Sequence, residues 1–580
     1  MKKFLLKGAC AFAACAMIFC TSPVFARGKQ ELVPSGHWVY DAMTALAFES
    51  GIRNFSDSAP LTISELESYL LEIDPESLSP AGKKQWQRLE DYFSEENLTF
   101  KSDIVGIDFD PSLNLEGYYK TKDEVDWVYD RYSRNHIIDI PMTISVKDYL
   151  SLGTEVHLGE NKGASLHNDN YFNAPTKDTE VDVNFPDYGY FSTGYKFTDY
   201  TGLSFQLGMG EQSFGRTQTG SIILSDYMTG STFGKLSLYS PNFKYTFDTI
   251  QLNVDKYMYY HSFEGRMFKK LTVGFMEATL TNAPLELRYM NPLMIYHGMA
   301  PWRDYSEDDA NNGEFMGLKI DWSPFRFFRL FGMFAMNQYQ VPYERRDFAD
   351  SLTPNSLGGQ AGFESMIPAG GGYVKIAAEG YYAQPTLYIK QSPDWSFFRT
   401  FTDNIGDNAI FYEWTGSPFG PDTIAGEFSL GFENPGKWSL DVIYLFLAQG
   451  ENAEKKIFYD KASDTWYSST DNDNEKIRNA HPNADGTLPD ATIPDGWAYP
   501  TSMNGKNQFA ETPTEVPKYT HRVSLRGKWQ ATDWLSFTFQ PSFVVILNNT
   551  GASGLHERGN NEFSFECAFA MKFQFAKMCN

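Results

Sequence analysis

The feature that most constrains this chain is an alternation of apolar and polar residues that begins near Ile107 and recurs, segment after segment, to the C-terminus. In the last segment, apolar side chains occupy every second position from Phe563 to Phe575, with small or polar residues between them. Successive side chains of a strand point to opposite faces. The pattern therefore predicts strands with one apolar face and one wet face.

The connections between these segments alternate between long and short. Residues 281–313 separate two strands of the stretch 271–336, whereas only residues 323–325 precede the next strand. Short turns at one end and long loops at the other are typical of a transmembrane β-barrel. We predict an all-β transmembrane barrel of about 18 antiparallel strands, at residues 111–119, 136–147, 150–158, 184–197, 202–210, 233–239, 242–248, 250–262, 270–280, 314–322, 326–337, 372–381, 385–391, 424–433, 437–448, 519–529, 534–546 and 562–575.

The N-terminal part of the chain has a different pattern. Lysines followed by an apolar run and a small residue at Ala26 predict a secretory signal over residues 1–26, cleaved after Ala26. Helix start and stop signals follow: Gly51 as a C-cap, Thr62 with Glu65 as a capping box, and Pro80 in a first turn. We predict a small α-helical periplasmic domain over residues 27–104 and the barrel over residues 105–580.

Composition restricts the location and the partners. Aromatic residues make up 16% of the chain, mean hydropathy is −0.40, and no run of about twenty apolar residues follows the signal. Alternating strands with aromatic girdles explain this combination. The excess of 73 acidic over 49 basic residues argues against nucleic acid as a partner. We expect an outer-membrane monomer that contacts lipid and the barrel-assembly machinery.

Sequence motifs for catalysis are absent. No serine has glycine at both −2 and +2, and there is no H-E-x-x-H zinc motif. The acidic loop from Asp304 to Glu314 could collect calcium, but an EF-hand register starting at Asp308 puts Ala310 and Lys319 at ligand positions. We predict no enzymatic activity and no cofactor, with calcium in this loop as the alternative.

Two stretches with long loops, residues 211–225 and 277–302, carry the residue types that sugar binding requires. Vicinal hydroxyls need carboxylates, amides and guanidinium groups, and the apolar side of a sugar ring packs on an aromatic face. The alternative is that these loops plug the barrel through internal salt bridges. The predicted polysaccharide-binding residues are Glu211, Gln212, Arg216, Glu277, Arg288, Asn291, His297 and Trp302.

The same loops resemble a known family. The signal, the helical pre-domain, a GxxxxGRxxxGSIILSD motif and LTVGFMEA…LELRYMNPLMIYH before the acidic loop look like the Wzi-type capsule-assembly outer-membrane proteins. The resemblance implies an eighteen-stranded barrel with a periplasmic helical bundle. It also implies a surface lectin that attaches capsular polysaccharide to the cell. The residues that match the family motifs are Gly215, Arg216, Gly220, Ser221, Glu277, Arg288, Asn291 and Pro292, of which Gly220 and Pro292 are expected to shape the backbone.

Two questions stay open at this point. Glu277 shares the phase of the apolar residues Val273 and Phe275, so regular alternation aims it at lipid. Either it lies above the hydrocarbon or a bulge turns it inward. The alternative function is a diffusion porin with a cation-leaning lumen, whose selectivity would depend on lumen residues such as Lys375, Glu379, Arg522 and Arg526.

Overall fold

Three helices near the N-terminus form a small domain in the computed structural model: α1 (Trp38–Ser50), α2 (Ile63–Leu70) and α3 (Pro80–Ser94). Gly51 ends α1 with φ 65°, and the hydroxyl of Thr62 accepts a hydrogen bond from the Glu65 amide at 3.2 Å to start α2. No helix among the described residues is long and apolar enough to cross a membrane. The structure describes residues 28–578 except 55, 95–97, 102–103, 123–133, 161–170, 178–180, 183–187, 300–311, 340, 344–354, 391–395, 403–409, 451–452, 454–458, 461–464, 467–510 and 552–554.

Eighteen long strands then form a closed antiparallel barrel in which β18 pairs with β1. They are β1 (Ser112–Lys120), β2 (Ile138–Val146), β3 (Leu150–Glu160), β4 (Gly189–Lys196), β5 (Gly202–Gly210), β6 (Ser231–Ser240), β7 (Phe243–Asn253), β8 (Lys256–Met267), β9 (Leu271–Asn282), β10 (Asn312–Trp322), β11 (Phe328–Gln338), β12 (Ser356–Ala369), β13 (Gly372–Ala383), β14 (Thr423–Asn434), β15 (Trp438–Gln449), β16 (Lys518–Thr532), β17 (Leu535–Leu547) and β18 (Glu562–Gln574).

Short elements accompany the barrel. The strand Val105–Phe109 precedes β1 and pairs with β2, so that one wall position is shared by two consecutive segments of the chain. The remaining short elements are the strands Leu32–Val33, Leu61–Thr62, Leu98–Lys101, Val181–Asp182, Phe398–Thr402, Ile410–Trp414, Tyr459–Asp460 and Thr465–Trp466, the helix Tyr296–Met299, and the 3-10 turns Pro75–Ser77 and Ala576–Met578.

The predicted strand count is confirmed, but two assignments are wrong. Thr249, predicted as a turn, lies inside β7, and the chain turns instead at Val254 and Asp255. Of the predicted strand 385–391, the described residues 385–390 form no strand, whereas residues 356–369, predicted as part of a loop, form β12. Two of the three glycines of β12 meet close neighbours on its inner side: a Cβ on Gly358 would lie 2.7 Å from Ile222, and one on Gly362 would lie 2.7 Å from Phe331. Such a segment lacks the side chains that usually signal a strand.

The helical domain covers the end of the barrel that carries the short turns. The backbone N–H of Arg53 donates to the carbonyl of Lys269 at 2.8 Å, and that of Phe327 donates to the carbonyl of Phe48 at 2.8 Å. On α1, Glu49 accepts a hydrogen bond from the hydroxyl of Tyr373 at 2.6 Å. Outer-membrane barrels turn their short connections to the periplasm. The helical domain therefore lies on the periplasmic side, and the long loops face outward.

Candidate functional site

The loop over residues 211–230, here named the plug loop, turns into the barrel. Phe214, Ile222, Ile223 and Leu224 are almost completely buried, and they pack with apolar side chains of the inner wall such as Met276. Residues after β13 complete this layer, because the hydroxyl of Tyr388 donates to the carbonyl of Ile222 at 2.5 Å. An apolar layer therefore packs against the inner wall from β6 to β15, within the part of the chain that the structure describes.

The glycines and the serine of the resembling motif shape the plug loop. Gly215 and Gly220 have φ of 89° and 91°, a region that L side chains rarely adopt. The hydroxyl of Ser221 donates to the carbonyl of Phe214 at 2.8 Å and accepts from the amide of Ile223 at 3.1 Å. These bonds satisfy backbone groups that would otherwise be buried without partners.

Beneath the apolar layer lies a layer of buried charges. Arg329, fully buried on β11, donates two hydrogen bonds of 2.6 Å to Asp321 and one of 2.9 Å to Glu364. Lys319 lies 2.6 Å from Glu264 and 3.3 Å from Asp57 of the helical domain. Because buried charges require close partners, this layer ties the inner wall to the helical domain.

The pKa of Asp57 is shifted by the charges of this layer. Burial alone would raise its pKa, but the positive charges of Lys319, Arg329 and Arg53 outweigh burial and hold the pKa of the Asp57 carboxyl below its ordinary value. Asp57 therefore stays ionised, and its negative charge compensates the lysine and the arginines around it.

Arg216, predicted to bind polysaccharide, points toward the helical domain. Its guanidinium contacts Asp41 and donates to the hydroxyl of Thr44 at 3.3 Å, both on α1. Gln212 is buried and Glu211 is half-buried. The structure thus places these residues at the plug loop, inside the barrel.

The second predicted loop takes the opposite course. Residues 283–299, here named the flap, fold back over the outside of β7 to β9. No bulge interrupts β9 at Glu277, which pairs with His261 of β8 and with Met316 of β10. Its phase matches the exposed Phe275, so Glu277 points outward, yet it is buried because the flap covers it. Neither a position above the hydrocarbon nor a bulge is needed to explain how Glu277 avoids contact with lipid.

The flap and the wall bind each other through polar groups. Glu277 forms a 2.8 Å contact with Nε2 of His261 and accepts from the backbone N–H of His297 at 2.7 Å. Of the other predicted residues, Arg288, Asn291 and His297 are exposed on the flap, and Arg288 lies 3.0 Å from Glu286. Pro292 accepts a hydrogen bond at its carbonyl from Tyr245. Trp302 lies outside the described residues.

The barrel wall therefore separates the two predicted halves of the site. Glu211, Gln212 and Arg216 lie on its inner side, while Glu277 and the flap lie on its outer side. Sequence periodicity could not show this, because it gives the phase of a strand and no direction for the loop that follows.

A third group, missed by the sequence analysis, lies at the loop end of β1 to β3. We name it the mouth cluster. Asn173 accepts from the backbone N–H of Glu116 at 3.1 Å, the rings of His136 and His157 stack at 3.7 Å, and the guanidinium of Arg134 lies over Tyr118. Next to it, the rings of Tyr171 and Phe172 are exposed. Because Glu155 and His157 alternate with Val156 and Leu158, the sequence predicts that their side chains face the lumen. Asn173 lies in a loop, where no alternation indicates its orientation.

Part of the mouth cluster could hold a cation. Ligand atoms of His136, Asp139 and Glu155 lie within 4.8 Å of one another, with His136 and Asp139 3.5 Å apart. One imidazole and two carboxylates suit a divalent transition metal. The predicted calcium loop is not comparable, because residues 304–311 lie outside the described residues.

Comparison with family models and with curated proteins finds no match. Among solved structures, Wzi of Escherichia coli, an outer-membrane protein involved in group 1 capsule assembly and a carbohydrate-binding β-barrel, aligns with a TM-score of 0.52 and 12% identity over 94% of this chain and 99% of its own. OprD of Pseudomonas aeruginosa (TM-score 0.36, 10% identity, 80% and 95% covered) and an anion-selective porin of Comamonas acidovorans (0.33, 7%, 81% and 99%) align too weakly to support an argument. The resemblance to Wzi-type proteins is thus confirmed for the fold, and this chain is an eighteen-stranded outer-membrane β-barrel.

Proposed function

We propose that this protein binds a surface polysaccharide outside the cell and holds it to the outer membrane, without catalytic turnover. The fold likeness to Wzi supports carbohydrate as the ligand class. The plug loop is the observation that carries the proposal. Because this loop and the helical domain occupy the lumen, a ligand outside the cell would bind at the surface of the barrel.

The plug argues against the alternative, a diffusion porin. Three of the polar residues considered for a selective lumen have protein partners: Lys375 lies 3.0 Å from Asp441, Glu379 accepts from the amide of Gln218 at 2.8 Å, and Arg522 lies 3.6 Å from Glu566. The Glu379 bond holds the plug loop to the wall, whereas the other two pairs join side chains of wall strands. An aqueous pathway needs lumen groups that face water.

We place the polysaccharide at the mouth cluster. Exposed rings of Tyr171 and Phe172 offer faces for sugar rings. Arg134 pairs with Glu160 at 3.3 Å and the Asn135 side chain donates to Glu116, so these two residues order the loop end that carries the rings. Glu211, Gln212, Arg216 and Glu277 are less suited, because each lies within the fold.

Binding of the purified protein to polysaccharide extracted from the cells that make it tests this proposal. Tyr171→Ala and Phe172→Ala should each weaken binding by roughly tenfold, which corresponds to ~1.4 kcal/mol. Phe268→Ala is the matched control, since Phe268 is an exposed ring in a turn at the periplasmic end. Failure of the unaltered protein to bind, or an equal loss in the control, would contradict the proposal.

A further inference from the structure

The outer wall beneath the flap is unusual for a lipid-facing surface. Going up β9, the outward positions change from the exposed Phe275 to the buried residues Glu277, Thr279 and Thr281. Their neighbours on β8 are Tyr259 and His261, also outward and buried. Charged and hydroxyl side chains are costly against hydrocarbon. This part of the wall needs a protein cover if it lies within the membrane.

The flap supplies that cover with matching contacts. The hydroxyl of Tyr259 accepts from the backbone N–H of Glu286 at 3.0 Å, and the ring of Tyr259 stacks on Tyr289 at 5.3 Å. The ring of Tyr296 lies 5.0 Å from His261, and its hydroxyl donates to the carbonyl of Tyr289 at 3.0 Å. The inner side of the flap is thus polar and aromatic, like the wall it covers.

The outer side of the flap exposes three large aliphatic side chains beside the polar Arg288, Asn291 and His297. Leu287, Leu293 and Ile295 are 80%, 87% and 66% exposed, although aliphatic side chains of this size are usually buried. On the wall beside and below the flap, Phe263 and Leu318 are also exposed. The flap therefore hides polar wall residues and continues the apolar surface of the barrel upward.

We propose that the flap lies in the outer leaflet, where Leu287, Leu293 and Ile295 contact lipid acyl chains. Continuity with the lipid-facing side chains around Phe275 selects lipid as the occupant. The exposed Arg288 and His297 provide polar groups that suit the headgroup level. The flap thus acts as a membrane-embedded cover over the Glu277–His261 pair.

Spin labelling in lipid vesicles tests the proposal. Leu293→Cys is labelled with a nitroxide in a Cys567→Ser, Cys579→Ser background and reconstituted in phosphatidylethanolamine and phosphatidylglycerol. Collision rates are measured with oxygen, which partitions into hydrocarbon, and with a nickel chelate, which stays in water. Phe275→Cys serves as the lipid control and Arg558→Cys, in an exposed loop, as the water control.

We expect the oxygen-to-nickel ratio at Leu293 to match that at Phe275 and to exceed that at Arg558. A ratio equal to that at Arg558 would overturn the proposal and place the flap in water. Low collision with both reagents, together with spin–spin broadening, would overturn it in favour of a second copy seated on the flap. Each labelled variant is first checked for the heat-modifiable gel mobility of a folded barrel, so that a folding failure is not mistaken for either result.

Discussion

At the scale of single residues, the Glu277 carboxylate is buried on the outer side of a strand. It is stabilised there by the 2.8 Å contact with His261 and by the 2.7 Å hydrogen bond from the backbone of His297. The wall and the flap therefore meet at one acceptor, and the role of Glu277 is structural.

The first prediction concerns this acceptor. Glu277→Ala removes the partner of the buried His261 ring nitrogen and of the part-buried backbone N–H of His297, so the free energy of unfolding should fall by about 1–3 kcal/mol. Glu277→Gln keeps an acceptor oxygen and should lose less. Urea unfolding in lipid vesicles measures both, with the exposed Glu76→Gln as control. Equal stability of Glu277→Ala and the unaltered protein would show that the flap does not depend on this residue.

A second residue-scale prediction compares two glycines of the barrel wall, Gly358 on the inner face of β12 and Gly332 on the outer face of β11. A Cβ at Gly358 would lie 2.7 Å from Ile222 and 2.7 Å from Leu387, whereas one at Gly332 would meet nothing within 4 Å. Gly358→Ala should therefore cost about 1–3 kcal/mol through overpacking of the plug. Gly332→Ala is the matched control and should be close to neutral. Comparable losses in both variants would contradict the packing described for the plug loop.

At the scale of elements, the helical domain is held by buried charge pairs that reach into the barrel. Lys244 of β7 lies 2.7 Å from Glu65 of α2, and both side chains are buried. A pair of this kind contributes little beyond what two apolar residues would, but losing one partner leaves an uncompensated charge.

Removing one charge should therefore loosen the docked domain. Lys244→Met should cost about 3–5 kcal/mol, seen as faster hydrogen exchange in α1 to α3 while the barrel strands stay protected. Lys83→Met breaks an exposed pair with Glu76 and should change exchange little. Unchanged exchange in Lys244→Met would contradict the assignment of this pair to docking.

The elements differ in how far the sequence predicted them. Alternation and turn residues located most strands, and caps such as Gly51 located the helices, because both signals are local. β12 was missed because its glycines interrupt the alternation, and the reason for Gly358 is a plug side chain, Ile222, from a distant part of the chain. The sequence also could not show that the predicted site residues lie on two sides of the wall, because the courses of the plug loop and the flap depend on long-range packing. The mouth cluster combines Asp139 and His157 from two strands with Asn173 from a loop, which no single segment reveals.

At the scale of the whole molecule, three layers occupy the described part of the barrel from the periplasmic end outward: the helical domain, a layer of buried charges and, against β6 to β15, an apolar layer. This arrangement predicts that the purified protein shows no porin-sized conductance steps in planar bilayers. Large steps from the unaltered protein would support the porin alternative.

The function proposed for this protein is to retain a surface polysaccharide on the outer membrane. The most direct measurement is the ratio of cell-bound to released polysaccharide in cells from which the gene is deleted, with the unaltered gene and the Phe172→Ala variant restored separately. We predict that deletion shifts polysaccharide into the medium, that the unaltered gene restores retention and that Phe172→Ala restores it only partly. An unchanged ratio after deletion would contradict the claim.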